Sequence, residues 1–120
     1  MANILLVDDE ETVRELLKRG LELDRHNVEL GQNGANGLDI LREKNGEFDL
    51  LISDIRMPEL DGIALAQAAK QAFPLLPILL MTGYAEQRER TKELEQVVED
   101  VLTKPFSLGE LRSTVTRILG

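Results

Sequence analysis

Three short stretches of this chain are almost continuously apolar: NILLV at Asn3–Val7, LLIS at Leu50–Ser53 and ILLM at Ile78–Met81. Each is too short for a buried helix and is followed by a segment of helical period. A strand with no polar face must be covered on both sides. Parallel sheets with helices on each face provide that cover, so this feature narrows the architecture more than any other. Two more strands complete the set. NVELG alternates, with Val28 in, Glu29 out and Leu30 in, as an edge strand does. Val97–Leu102 reads as the fifth strand.

Helical segments fill the gaps. Glu10–Leu23 carries Val13, Leu16, Leu17 and Leu21 on one stripe. Ala35–Lys44 stops at Asn45-Gly46, and Asp61–Ala72 stops before Pro74. Ala85–Glu95 has the right length but little apolar stripe beyond Ala85 and Leu94. Ser107 caps the last helix, with Glu110 completing a capping box and Leu108, Leu111, Val115 and Ile118 as its buried face. Five strand–helix units therefore form one expected domain over residues 1–120. Right-handed crossovers leave few arrangements. A doubly wound, flavodoxin-like α/β fold fits best: a five-stranded parallel sheet in the order 2-1-3-4-5, with helices on both faces. It puts the two more polar strands at the edges.

Composition excludes several functions. The net charge of -8 argues against direct contact with nucleic acid. With no cysteine there is no disulfide, thiolate zinc site or cysteine nucleophile. No apolar run approaches the ~20 residues of a membrane span. MANILLVDDEE lacks the basic start of a signal peptide, so no membrane association and a cytoplasmic location are expected.

In such sheets, ligands bind at the carboxyl ends of the strands, where strand order reverses. That point lies between strands one and three. Strand one leads into Asp8 and Asp9, and strand three leads into Asp54. Carboxylates so close repel one another unless a cation offsets them. All-oxygen ligands suit a hard divalent ion, Mg²⁺. Strand four ends in Thr82-Gly83 and strand five in Thr103-Lys104-Pro105, adding a hydroxyl and an ammonium at the same edge. Acids, a cation, Thr and Lys together make a phosphoryl-transfer site.

Four pieces in order, LLVDDE, LISDIRMPELDG, LLMTGYA and LTKPF, resemble the response-regulator receiver domain of two-component signalling. The resemblance covers essentially the whole chain. It implies that Asp54 accepts a phosphoryl group from a sensor histidine kinase or phosphotransfer protein, and that a downstream output protein or domain responds. It implies that Asp8 and Asp9 are the family's acidic pair, with Asp9 the more direct Mg²⁺ ligand, and that Thr82 and Lys104 are the switch hydroxyl and the lysine. In that reading Asp54 and the backbone carbonyl of Arg56 join the metal set. The chain is then no enzyme on outside substrates. It is a phosphoacceptor that assists its own phosphorylation and dephosphorylation. A phosphorylation-dependent dimer is left open. The output face is expected on the helix over Ala85–Glu95, strand five and the last helix. Arg56 and Tyr84 are expected to flank the path of a hydrolytic water.

The chain departs from the family's pattern at Val101, where an aromatic residue is common, and at Val97-Val98, where a small pair is common. Taken singly, the pieces have plainer readings. DDEE could be a cap with acids at a helix start, Thr82-Gly83 a turn, and Lys104-Pro105 a solvated edge. Aspartate-nucleophile phosphohydrolases also place an acid after a buried strand. They need a second acid two residues on, where this chain has Arg56. His26, the single histidine, reads as a surface residue in a polar turn.

Overall fold

Backbone pairing fixes the strand order. The computed structural model describes residues 1–83 and 96–120. Its elements are β1 (Asn3–Val7), α1 (Glu11–Glu22), β2 (Asn27–Gly31), α2 (Gly34–Glu43), β3 (Leu50–Asp54), α3 (Gly62–Ala72), β4 (Ile78–Thr82), β5 (Asp100–Thr103) and α4 (Leu108–Leu119). All pairings are parallel, in the order β2-β1-β3-β4-β5. This is the doubly wound sheet expected from the sequence. The helix expected over Ala85–Glu95, and Tyr84 before it, lie outside the described residues.

Alternate residues of the central strands feed two cores. Leu5, Val7, Leu51 and Leu80 pack with Leu41 of α2 and Leu65 of α3. Ile4, Leu6, Ile52 and Leu79 pack with Leu17 and Leu21 of α1 and with Leu111 and Val115 of α4. These strand residues have no exposed surface. Each buried aliphatic side chain contributes roughly 1.5–3 kcal/mol. The continuous apolar runs are thus the direct cause of the three-layer arrangement. Among the described residues, no helix is long and apolar enough to cross a membrane.

Two expectations need correction. Leu16 is not on the buried stripe of α1; it is 53% exposed. The helix leans on α4 through Gly20, where an added Cβ would sit 2.9 Å from Leu108 Cδ2. That contact turns the ridge Leu17, Gly20 and Leu21 inward and leaves Leu16 outside. The fifth strand starts at Asp100, not at Val97. Val97 lies in a turn and Val98 in the irregular segment after it, yet Val98 is buried and Val97 packs on the same core. Their hydrophobicity reports burial rather than extended pairing. Other boundaries move by a residue: Glu10 stands at the N-cap position of α1 without a side-chain capping bond, Asn33 caps α2 by accepting from the Asn36 N–H, and β3 and β4 run on to include Asp54 and Thr82. The Ser107–Glu110 capping box forms as expected.

Candidate functional site

The ladder delivers the polar residues to one edge. β1 ends its pairing at Val7, opposite Gly31 and Ser53, so Asp8 and Asp9 lie just beyond it. Asp54 pairs with Met81, and Thr82 pairs with Thr103. The Lys104 N–H donates to the Thr82 carbonyl at 2.7 Å, which brings the lysine alongside β4. The Lys104–Pro105 peptide is cis. Asp61 caps α3 by accepting from the Ala64 N–H at 2.9 Å. Gly62 follows, and only a glycine fits there. A Cβ would stand 2.1 Å from the Asp54 carbonyl oxygen. The start of α3 thus presses directly on the backbone of Asp54.

The three acids meet. One carboxylate oxygen from each of Asp8, Asp9 and Asp54 lies within 4.8 Å of the others. Asp8 is fully buried, Asp54 is 7% exposed and Asp9 is exposed. Lys104 Nζ lies 3.4 Å from Asp54 Oδ2. Burial pushes the Asp54 carboxyl up to about 6; Lys104 opposes the rise and Asp8 adds to it. Burial also raises Asp8, against the Glu10 N–H that donates to its Oδ1 at 2.9 Å. Asp8 Oδ2 is buried and has no hydrogen-bond partner among the described residues. A buried carboxylate oxygen without a donor is costly unless a cation meets it. The donor set is all oxygen, as Mg²⁺ prefers, so the residues fit that ion.

Thr82 is buried in the same edge. Arg56 is exposed and shares a groove of about 380 Å³ with Asp9, Glu10, Met57 and Pro58. Among the described residues, Asp8, Asp9, Asp54, Arg56, Thr82 and Lys104 thus lie at the carboxyl edge of the sheet, while Tyr84 falls outside them. His26 does not lie at that edge, and it is not a plain surface residue. It is half-buried, and its Nδ1 accepts the Ala2 N–H at 3.1 Å, anchoring the start of β1.

Two residues at the edge escaped sequence reasoning. Ser53 is fully buried, and its hydroxyl donates to the Asp54 carbonyl at 2.9 Å. A serine inside an apolar strand was the available signal. Arg14 Nη1 donates to the Asp8 carbonyl at 2.8 Å. Its signal was a lone cation inside the acidic run that begins at Asp8.

Comparison with known proteins agrees with this geometry. Residues 4–116 match the family model described as the response regulator receiver domain. The chain is 37% identical over 116 residues to response regulator MprA from Mycobacterium sp. (strain KMS), covering 97% of this chain and 50% of that protein. It is 38% identical over 117 residues to a probable transcriptional regulatory protein from Picosynechococcus, covering 92% of this chain and 46% of that one. The chain therefore spans about half the length of these curated relatives. A receiver domain from Clostridium thermocellum superposes with a TM-score of 0.91 at 26% identity, over 99% of this chain and 94% of the other. Response regulator protein TrrA from Thermotoga maritima, solved in complex with Mg²⁺-BeF, superposes with a TM-score of 0.88 at 30% identity, over 98% of this chain and 99% of the other.

Proposed function

The chain belongs to the response regulator receiver domain family of two-component signalling, and from that premise we propose that Asp54 is its phosphoacceptor within a single domain over residues 1–120. One observation carries the reading: Asp54, raised in pKa and held by Lys104, shares its site with two further acids.

The residues have separate tasks. An Asp54 carboxylate oxygen attacks phosphorus on a phosphorylated kinase or phosphotransfer protein. The new oxygen–phosphorus bond forms as the donor's bond to phosphorus breaks, and the donor leaves. Ser53 and Gly62 fix the Asp54 backbone for that approach. Lys104 already faces the carboxylate and moves onto a phosphoryl oxygen. The Thr82 hydroxyl donates to another oxygen once the group is present. Asp8, Asp9, Asp54 and the Arg56 carbonyl would hold Mg²⁺, which would supply positive charge against the phosphoryl oxygens.

The added charge, roughly -1.5 to -2 by analogy with phosphorylated hydroxyls, gives Thr82 and Lys104 a contact they lack before phosphorylation. Differential contact is what shifts a two-state equilibrium. The output face includes β5 and α4; the expected contribution of Ala85–Glu95 lies outside the described residues. Its partner is an output protein or a domain of a longer chain, in the cytoplasm, with phosphorylation-dependent dimerisation as one form of output. In place of the second acid that a phosphohydrolase needs stands Arg56, so Asp54 stores the phosphoryl group rather than turning over outside substrates.

The test is phosphorylation by a small acyl phosphate, read by intact mass. The wild type should gain one labile phosphoryl group only with Mg²⁺. Asp54→Asn should gain none. Labelling that persists in Asp54→Asn would overturn the assignment.

A further inference from the structure

We propose that Arg14 is a positioning residue for the metal-binding acids: it fixes the turn after β1 that aims the Asp8 carboxylate. The inference rests on the reading of Asp8, Asp9 and Asp54 as a Mg²⁺-dependent phosphoryl site.

The argument starts where the sheet stops. β1 pairs with both neighbours as far as Val7. The Asp8 N–H still reaches the Gly31 carbonyl at 3.2 Å, but the Asp8 carbonyl has left the ladder. Arg14, half-buried on α1, takes it with Nη1 at 2.8 Å. The Arg14 backbone N–H also donates to the Glu10 carbonyl at 2.9 Å, and the Glu10 N–H donates to Asp8 Oδ1 at 2.9 Å. Arg14 therefore spans the turn with side chain and backbone together. Asp8 is fixed at its N–H, its carbonyl and one carboxylate oxygen. The atom left over is Oδ2, buried and without a hydrogen-bond partner among the described residues. Backbone bonds to a charged donor are stronger and shorter than neutral ones, so this is a stiff constraint.

A merely electrostatic role and a positioning role have opposite signs. Arg14 brings positive charge toward a site for a cation. By Coulomb repulsion alone, its loss would tighten Mg²⁺ binding. If Arg14 aims the acids, its loss loosens binding despite the relief of repulsion. Groups that orient metal ligands typically change affinity about 10–100-fold when removed. The exposed position of Asp9, which Arg14 does not touch, puts Arg14 at the lower end.

The experiment is calorimetric titration of Mg²⁺ into the wild type, Arg14→Gln and Arg14→Lys, well below each melting temperature. Arg14→Gln removes the charge; Arg14→Lys keeps the charge without the planar fork. Arg14→Gln should weaken Mg²⁺ binding about tenfold, and Arg14→Lys should fall between it and the wild type. In metal-free protein, the Glu10 amide resonance should move in both variants, because it reports the bond to Asp8. Unchanged or tighter Mg²⁺ binding in Arg14→Gln, beside a wild type that binds, would overturn the Arg14 inference alone. A lowered melting temperature with unchanged affinity would do the same, assigning Arg14 to folding. A wild type that binds no Mg²⁺ would overturn the site reading and this inference together. If Arg14→Gln fails to fold, Arg14→Lys decides by the same two readouts.

Discussion

Asp24 and Asp54 are the same residue type in one small domain, and their surroundings move them in opposite directions. Asp24 ends the α1 region and meets Arg112 of α4 through two hydrogen bonds, at 3.0 and 2.7 Å. The Arg112 bonds hold its carboxyl below the usual range. Asp54 sits at the buried end of β3 beside a second buried acid, and its carboxyl rises to about 6. One acid is satisfied and ties α4 to the end of α1 through a pair 88 positions apart in sequence. The other is left short of positive charge, with Lys104 as partial compensation at 3.4 Å. The fold accepts that cost at the edge where ligands bind. A site that is short of positive charge has something to gain from a cation; a completed pair does not.

The largest expected effect comes from completing the site. Mg²⁺ at one hundred times its dissociation constant should stabilise the protein by about 2.7 kcal/mol, read as a shift in thermal melting. Asp9→Ala should remove that response, because Asp9 is the exposed member of the cluster. A response that survives in Asp9→Ala would take this residue out of the metal set.

Neutralising the buried acid comes next. Metal-free Asp54→Asn should be more stable than the wild type at neutral pH by about 1–3 kcal/mol, from a carboxyl moved from 3.8 to about 6. Urea melts in the presence of a chelator would read it. Equal or lower stability in the variant would mean that the carboxylate is compensated already.

The same shift predicts a smaller effect of pH. The folded state holds the Asp54 proton more tightly than the unfolded chain does. Its contribution is therefore fully present below pH 3.8 and is lost as pH rises through about 6. Metal-free wild type should lose stability across that window, and Asp54→Asn should lose less. Asp24 has the reverse sign: its lowered carboxyl contributes above the usual carboxylate range and is lost as pH falls through its folded value. A wild-type profile as flat as that of Asp54→Asn would remove the contrast between the two acids.

The smallest effect is at the satisfied pair. Asp24→Asn should lower stability slightly, and added salt should shrink the difference, because the pair is partly exposed. Stabilisation by Asp24→Asn would show that this pair, too, is a strained site.

Much of this was legible in the residues. Leu50–Ser53 and Ile78–Met81 could be read as strands because an unbroken apolar run of that length has few other uses. Asp8, Asp9, Asp54, Thr82 and Lys104 could be placed together because strand ends in a parallel sheet share one edge. Leu16 and Val97 misled for a common reason. Hydrophobicity signals that a residue prefers burial, but not which neighbour covers it, or whether the backbone there is extended. Arg14 and Ser53 were visible only as residues out of character with their surroundings. Their use depends on carbonyl oxygens whose directions no side-chain pattern encodes.

The sequence by itself determined the alternation of strand and helix, the parallel sheet and the residues at its carboxyl edge, because period and chain order are local properties. Tertiary structure decided how those residues feel one another. The raised carboxyl of Asp54, the unpartnered Oδ2 of Asp8, the clamp on its carbonyl and the close approach of Gly62 all depend on distances between segments far apart in the chain. Burial and charge act through space, so acids of one type became a strut at position 24 and a raised, partly compensated carboxyl at position 54.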